Sequence, residues 1–146
     1  MANVFDVAQY ILEKLNTEIT TIKLQKFVYY CQAWSLVWTE TPLFEEEIQA
    51  WANGPVVPAL YARHQGIFKI GPSHNCLGGN SQSLTDNERE NIDCVLHTYG
   101  EKEPMWLVQL SHVELPWKEA RGSLPPGVRC TNVISHASMA EYYMSL

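Results

Sequence analysis

Residues 24–34 read LQKFVYYCQAW, and residues 42–58 read PLFEEEIQAWANGPVVP. In and beyond the first stretch, Leu24, Phe27, Val28, Cys31, Trp34 and Trp38 recur at helical spacing, so one stripe of a helix is apolar. Thr20 is placed to cap its start. Pro42 ends the helical region, because proline has no N–H to donate and biases Thr41 toward extended geometry. The acids Glu45, Glu46 and Glu47 read as solvated. Ile48 to Trp51 then alternate briefly, which predicts one short strand, with Cys130 to Ile134 as its partner segment. Asn53-Gly54-Pro55 signals a turn, and Pro58 suits the first turn of a further helix ending near His64, where its missing N–H needs no intrahelical partner.

The flanking sequence adds helices. Val4, Ala8, Ile11, Leu12 and Leu15 predict a first helix over 4–15, with Asn3 or Asp6 able to accept its first free N–H groups. Thr85-Asp86-Asn87-Glu88 has the spacing of a capping box and opens a helix over 86–99 that buries Ile92, Val95, Leu96 and Tyr99 and closes at Gly100. Met105–Ser111 and Pro116–Arg121 predict two short helices, and Ser135 caps a terminal one carrying Met139, Tyr142 and Tyr143. Residues 65–83, rich in Gly, Pro, Ser and Asn, read as a long surface loop with a mobile tip, tethered by Ile67, Phe68 and Ile70. The expected fold is mainly α: a compact single-domain helical bundle of about six helices, with at most a small two-stranded β element.

Bulk properties narrow the function. The chain has 146 residues, enough for one core, and its 46% hydrophobic and 18% charged content places it among globular proteins. No apolar stretch is long enough to span a bilayer, and MANVFDVAQ lacks the basic start and apolar block of a secretory signal, so a soluble cytoplasmic protein is expected. The net charge is −6, shared by both halves, which disfavours binding to nucleic-acid phosphates and suits a neutral or basic protein partner. Lys23, Lys26 and Lys118 are too scattered for a nucleic-acid footprint, and Gly78-Gly79 lacks the lysine and helix of a phosphate loop. Cys31, Cys76, Cys94 and Cys130 show no paired spacing, so reduced thiols are expected, with Cys31 and Cys94 on or beside apolar helix faces. His64, His74 and Cys76 match no zinc pattern, and no metal or other cofactor is expected.

Taken in order, several marks resemble the Panacea antitoxin domain, the SocA-like family common in prophages and toxin–antitoxin operons. They are Leu24-Gln25-Lys26 with Tyr29, Tyr30 and Gln32; Pro42-Leu43-Phe44; Ala50-Trp51 with Asn53 to Pro58 and Tyr61; Leu110-Ser111-His112; Pro116-Trp117-Lys118; and Ile134-Ser135 with Tyr142-Tyr143. The likeness runs over nearly the whole chain, 1–146. It implies a non-enzymatic binding module that neutralises a cognate protein toxin by forming a complex, and it supplies no catalytic residue. An alternative outcome of the same binding is delivery of the toxin to a protease. Many Panacea-like proteins carry a further DNA-binding domain; 146 residues leave no room for one, so autoregulation of an operon is not expected.

Several residues are candidates for partner contact. Gln25, Tyr29 and Gln32 form one polar stripe of the central helix, which either braces the Gly54-Pro55 turn from inside or meets a partner. Most of the five tryptophans are expected in the core, but Trp51 and Trp117 lie beside proline turns, and one of the two is expected to anchor the partner. Asn53, Pro55, Tyr61 and His112 complete the candidate surface. A small hydrolase using His112 with Ser111, Cys31 or Glu114 is the rival of a different class. Against it, neighbours such as Ser111 and His112 diverge by roughly 100° around a helix, and His112 is expected to close the helix or bond the Pro116 turn.

Overall fold

A computed structural model describes residues 2–74, 76–125 and 127–146. Among them are seven α-helices: α1 (Val4–Leu15), α2 (Thr21–Trp38), α3 (Pro58–His64), α4 (Asp86–Tyr99), α5 (Pro104–Val113), α6 (Leu115–Arg121) and α7 (His136–Met144). The fold is mainly α, with two small two-stranded antiparallel sheets.

Helix starts follow local chemistry. The Asn3 side chain accepts from the Asp6 N–H while the Asp6 carboxylate accepts from the Asn3 N–H, and Thr85 with Glu88 repeats the exchange at α4. Thr20 and Ser135 cap α2 and α7 through their side chains. Pro58, Pro104 and Pro116 occupy first turns, where the absent N–H is harmless. α4 buries Ile92, Val95, Leu96 and Tyr99, as its spacing predicts.

α2 is the axis of the molecule, contacted by α1, α4, α5, α7 and β3 (Gly54–Val56). The apolar stripe read from the sequence is too narrow. Gln25, Lys26, Tyr29, Tyr30 and Gln32 are buried along with Leu24, Phe27, Val28 and Cys31, because neighbours cover the helix on every side. The far end differs: Trp38 is 46% exposed and stacks on half-buried Trp34 at 5.3 Å. Only Trp117 of the five tryptophans is buried; Trp34 and Trp51 are half-buried, and Trp38 and Trp106 are exposed. Cys94 faces outward on α4, also against expectation.

β2 (Gln49–Trp51) pairs with β3 through a turn at Ala52-Asn53, in the register Gln49↔Val56. Gly54 carries φ +114°, a conformation side-chain-bearing residues rarely adopt. The expected partner segment also joins: Ala50 N–H donates to the Asn132 carbonyl and Ile134 N–H to the Ile48 carbonyl, each within 2.9 Å. The described residues of the 65–83 segment are more pinned than a free loop, and Asn75 in the expected mobile tip lies outside the described residues. β4 (Lys69–Ile70) pairs with β1 (Ile19–Thr20), Leu77 is fully buried, and the Asn80 N–H reaches the Asp6 carboxylate at 2.8 Å. Asp6 thus caps α1 and ties down this segment at once. Glu46, expected in solvent, is half-buried because it accepts from the Val4 N–H.

One contiguous core joins the seven helices. On one side of α2 it carries a tyrosine cluster: Tyr30 stacks on Tyr99 at 4.3 Å and meets Tyr143 edge-on. The buried Glu114 carboxylate accepts from the Tyr30 hydroxyl at 2.7 Å and the Tyr143 hydroxyl at 2.9 Å, while Tyr29 bonds Tyr143 at 3.0 Å. Burial raises the Glu114 pKa and the two tyrosine hydroxyls oppose that rise. Removing the carboxylate strands two buried hydroxyl donors. Glu114→Ala is therefore expected to lower the unfolding free energy by about 3 kcal/mol, and Glu114→Gln by roughly half as much because an amide oxygen still accepts. Urea denaturation of the three proteins checks the order.

Candidate partner-binding cleft

The β2–β3 hairpin and α3 fold back over the start of α2, and the segment around residues 127–131 closes the other side. Between them lies an open cleft of about 600 Å³. Its walls include Trp51, Asn53, Tyr61, Ile67 and Arg129, with Lys26 and Gln25 also lining it.

The polar side chains of α2 build this wall from within. Gln25 Oε1 accepts from the Val57 N–H at 2.9 Å, and its amide nitrogen lies 2.9 Å from His64 Nε2. An amide nitrogen donates, so His64 is the neutral ring accepting at Nε2; burial lowers its pKa in the same sense. Gln32 brackets the next segment, accepting from the Leu43 N–H at 2.7 Å and donating to the Phe44 carbonyl at 2.8 Å. Tyr29 is spent on Tyr143. Gln25, Tyr29 and Gln32 are all buried, so they brace the cleft and its neighbours and do not present a face to a partner. Pro55 is buried as well.

Trp51, Tyr61 and Asn53 remain accessible: the first two are half-buried and Asn53 is exposed. Trp51 and Tyr61 meet edge-on at 5.0 Å, and the Trp51 indole N–H donates to Gln49 at 2.8 Å, which fixes the corner. Trp117, 6% exposed, serves the fold. Its indole N–H donates to the Trp51 carbonyl at 2.8 Å, and its ring stacks on His112 at 4.1 Å. Of the two tryptophans singled out, Trp51 is the one free to be touched.

His112 lies in the last turn of α5, and no hydrogen bond joins it to the Pro116 turn among the described residues. It is half-buried against Trp117, and its Nε2 has no hydrogen-bond partner among the described residues. Burial lowers its pKa, helped by the nearby Lys26 and Arg121 charges and opposed by the Asn53 backbone. Ser111 donates to the Val108 carbonyl at 2.9 Å and Glu114 is taken by the tyrosines, so Ser111, His112 and Glu114 do not form a hydrogen-bonded relay among the described residues. Cys31 is buried and its thiol is pushed up by that burial, away from a reactive thiolate. His64 is engaged with Gln25, and His74 accepts from the Gly71 N–H.

The residue that sequence reasoning passed over is Lys26. It is 1% exposed, and its ammonium donates to the Pro55 carbonyl at 3.0 Å. No carboxylate pairs with it among the described residues. Burial pulls its pKa down to about 7. Gly54 exists partly for this packing: a Cβ there would lie 2.8 Å from Ser111 Oγ and 2.9 Å from Lys26 Cε. Arg121, also buried, is provided for differently, by the carbonyls of Ala50, Pro125 and Val128. A lysine inside an otherwise apolar and aromatic run was the available signal, since lysines are rarely fully buried.

Because Lys26 has a lower pKa in the folded chain than its ordinary 10.5, the unfolded chain binds more protons between those values and stability rises with pH there. His64 and His112, also lowered, place their own rise below about pH 6.5. Above about pH 8.5 the raised Cys31 and tyrosine pKa values act the opposite way. Urea unfolding should therefore show stability increasing from pH 7 to 8.5. Lys26→Met should flatten that segment and, at pH 6, exceed the wild type by on the order of 2 kcal/mol, since a buried charge is replaced by an apolar chain of similar length.

A family model described as "Antitoxin SocA-like, Panacea domain" matches residues 24–118. The match runs from within α2 to within α6 and includes the hairpin, the cleft corner and Trp117; Ile134-Ser135 and Tyr142-Tyr143 lie beyond it. No curated protein and no solved structure matches the chain. No described helix is long and apolar enough to cross a membrane. With nearly two thirds of its length matched, this chain belongs to the SocA-like Panacea antitoxin family.

Proposed function

We propose that the chain acts as a single antitoxin domain, 1–146, that neutralises a cognate protein toxin by direct binding, and that the Trp51–Tyr61 corner with Asn53 forms the contact. The observation that carries this reading is the pairing of an antitoxin family match with a half-exposed aromatic corner whose backbone is fixed from behind by α2. Tryptophan and tyrosine are enriched at interface hot spots, and a ring held by Gln49 and Tyr61 loses little freedom on docking. A standard interface takes about 800 Å² per partner, roughly a tenth of the 7482 Å² exposed here. Inhibition then comes from occlusion of the toxin's working surface, which requires no protease and no bond chemistry by this chain.

A second apolar surface supplies the comparison. Along α5, Met105, Trp106 and Val113 are exposed at 63%, 42% and 64%. The expected outcome is that Trp51→Ala keeps its helical circular dichroism and loses about 2 kcal/mol or more of affinity for the co-encoded toxin. Trp106→Ala should bind normally, and Trp117→Ala should be destabilised by about 3–5 kcal/mol as a core deletion. Calorimetry on the purified complex, with toxin activity assayed in the absence of any protease, reads all three. Normal binding by folded Trp51→Ala with loss in Trp106→Ala moves the interface to α5.

A further inference from the structure

The segment that ends in Ile134 lies antiparallel to β2, on the edge away from β3. Gln49 sits opposite Val133, framed by the bonds from the Ala50 N–H to the Asn132 carbonyl and from the Ile134 N–H to the Ile48 carbonyl. Backbone groups alternate in direction along such a ladder. The Asn132 carbonyl and the Ile134 N–H therefore point toward β2, and the N–H and carbonyl of Val133 between them point away. Neither of those two Val133 groups has a hydrogen-bond partner among the described residues, and Val133 is 51% exposed. Its neighbours Thr131 and Asn132 are exposed as well. Sheet edges are commonly blunted by lysine or proline, and Thr131-Asn132-Val133 contains neither.

We propose that the toxin lays an extended segment along this edge, its backbone bonded to the N–H and carbonyl of Val133 and an apolar residue set against the Val133 side chain. An exposed donor and acceptor on one strand residue are what strand addition uses: main-chain bonds supply affinity and the alternate side chains supply specificity. The edge is continuous with the aromatic corner. Residues opposite each other in a ladder share a face, and so do residues two apart on one strand, so Val133, Gln49 and Trp51 lie on the same side of the sheet. Thr131 also lines the cleft with Trp51 and Tyr61. A second copy of this chain is the weaker occupant. Three residues of edge paired with themselves bury far less than the roughly 800 Å² per partner of a stable interface, whereas a toxin seated on the corner already supplies that area. The inference deepens the toxin reading and rests on it.

The test is amide hydrogen exchange by NMR on the isotope-labelled full chain, free and in its purified complex with the co-encoded toxin, with binding read separately by calorimetry. The Val133 amide is expected to exchange freely in the isolated chain and to slow by about tenfold or more in the complex. The Ile134 amide, already bonded to Ile48, serves as the internal reference and should be slow in both. Val133→Pro removes an N–H that the fold does not use. With helical circular dichroism unchanged, it should weaken toxin binding by about tenfold. A complex in which the Val133 amide exchanges as it does in the free chain, or normal affinity in folded Val133→Pro, overturns the strand pairing and leaves the toxin reading standing. Absence of any complex overturns both. A free chain that light scattering shows to be dimeric, with its Val133 amide already slow, gives the edge to a second copy and likewise overturns the proposal. The exchange measurement needs no variant, so it decides the matter even where Val133→Pro misfolds.

Discussion

Helix α2 is enclosed by its own chain, and the amide side chains of Gln25 and Gln32 turn that enclosure into a scaffold. Each glutamine satisfies backbone groups of a segment with no regular partner of its own: Gln25 holds Val57 where the hairpin runs into α3, and Gln32 holds Leu43 and Phe44 in the turn after α2. Backbone groups buried without partners are costly. The glutamines make it possible for those irregular stretches to pack against the core, and the hairpin corner with its accessible aromatic pair is positioned as a result.

Three of the buried ionisable side chains are handled in three ways. Arg121 is saturated by carbonyls, Glu114 by tyrosine hydroxyls, and Lys26 by a single carbonyl at the edge of an open cleft. The first two close off irregular backbone and an aromatic core, so their chemistry is used up internally. Lys26 is different because its ammonium finds one acceptor among the described residues, the Pro55 carbonyl, so its desolvation is only partly compensated.

Much of the helical framework was legible in the sequence. The Asn3 and Thr85 capping boxes, the Thr20 and Ser135 caps and the prolines in first turns act within a few residues, so spacing alone placed helix starts and, at α4, the buried positions. The two-residue strands β1 and β4 were not legible, because so short a run has no alternation and its pairing depends on a segment from the far side of α3. The candidate site was half legible. Trp51, Asn53 and Tyr61 line the cleft, whereas Gln25, Tyr29 and Gln32 share a helix face that other elements cover.

What the sequence by itself determined is where helices begin and end and which family the chain resembles, since both rest on local order along the chain. Tertiary structure decided which polar groups lose their water. α2 looks amphipathic when read alone, and only the arrival of β3, α5 and α7 makes Lys26 a buried amine, Trp117 a core ring and Trp51 an open one. Burial is a property of what packs against a residue, and those neighbours come from distant parts of the chain.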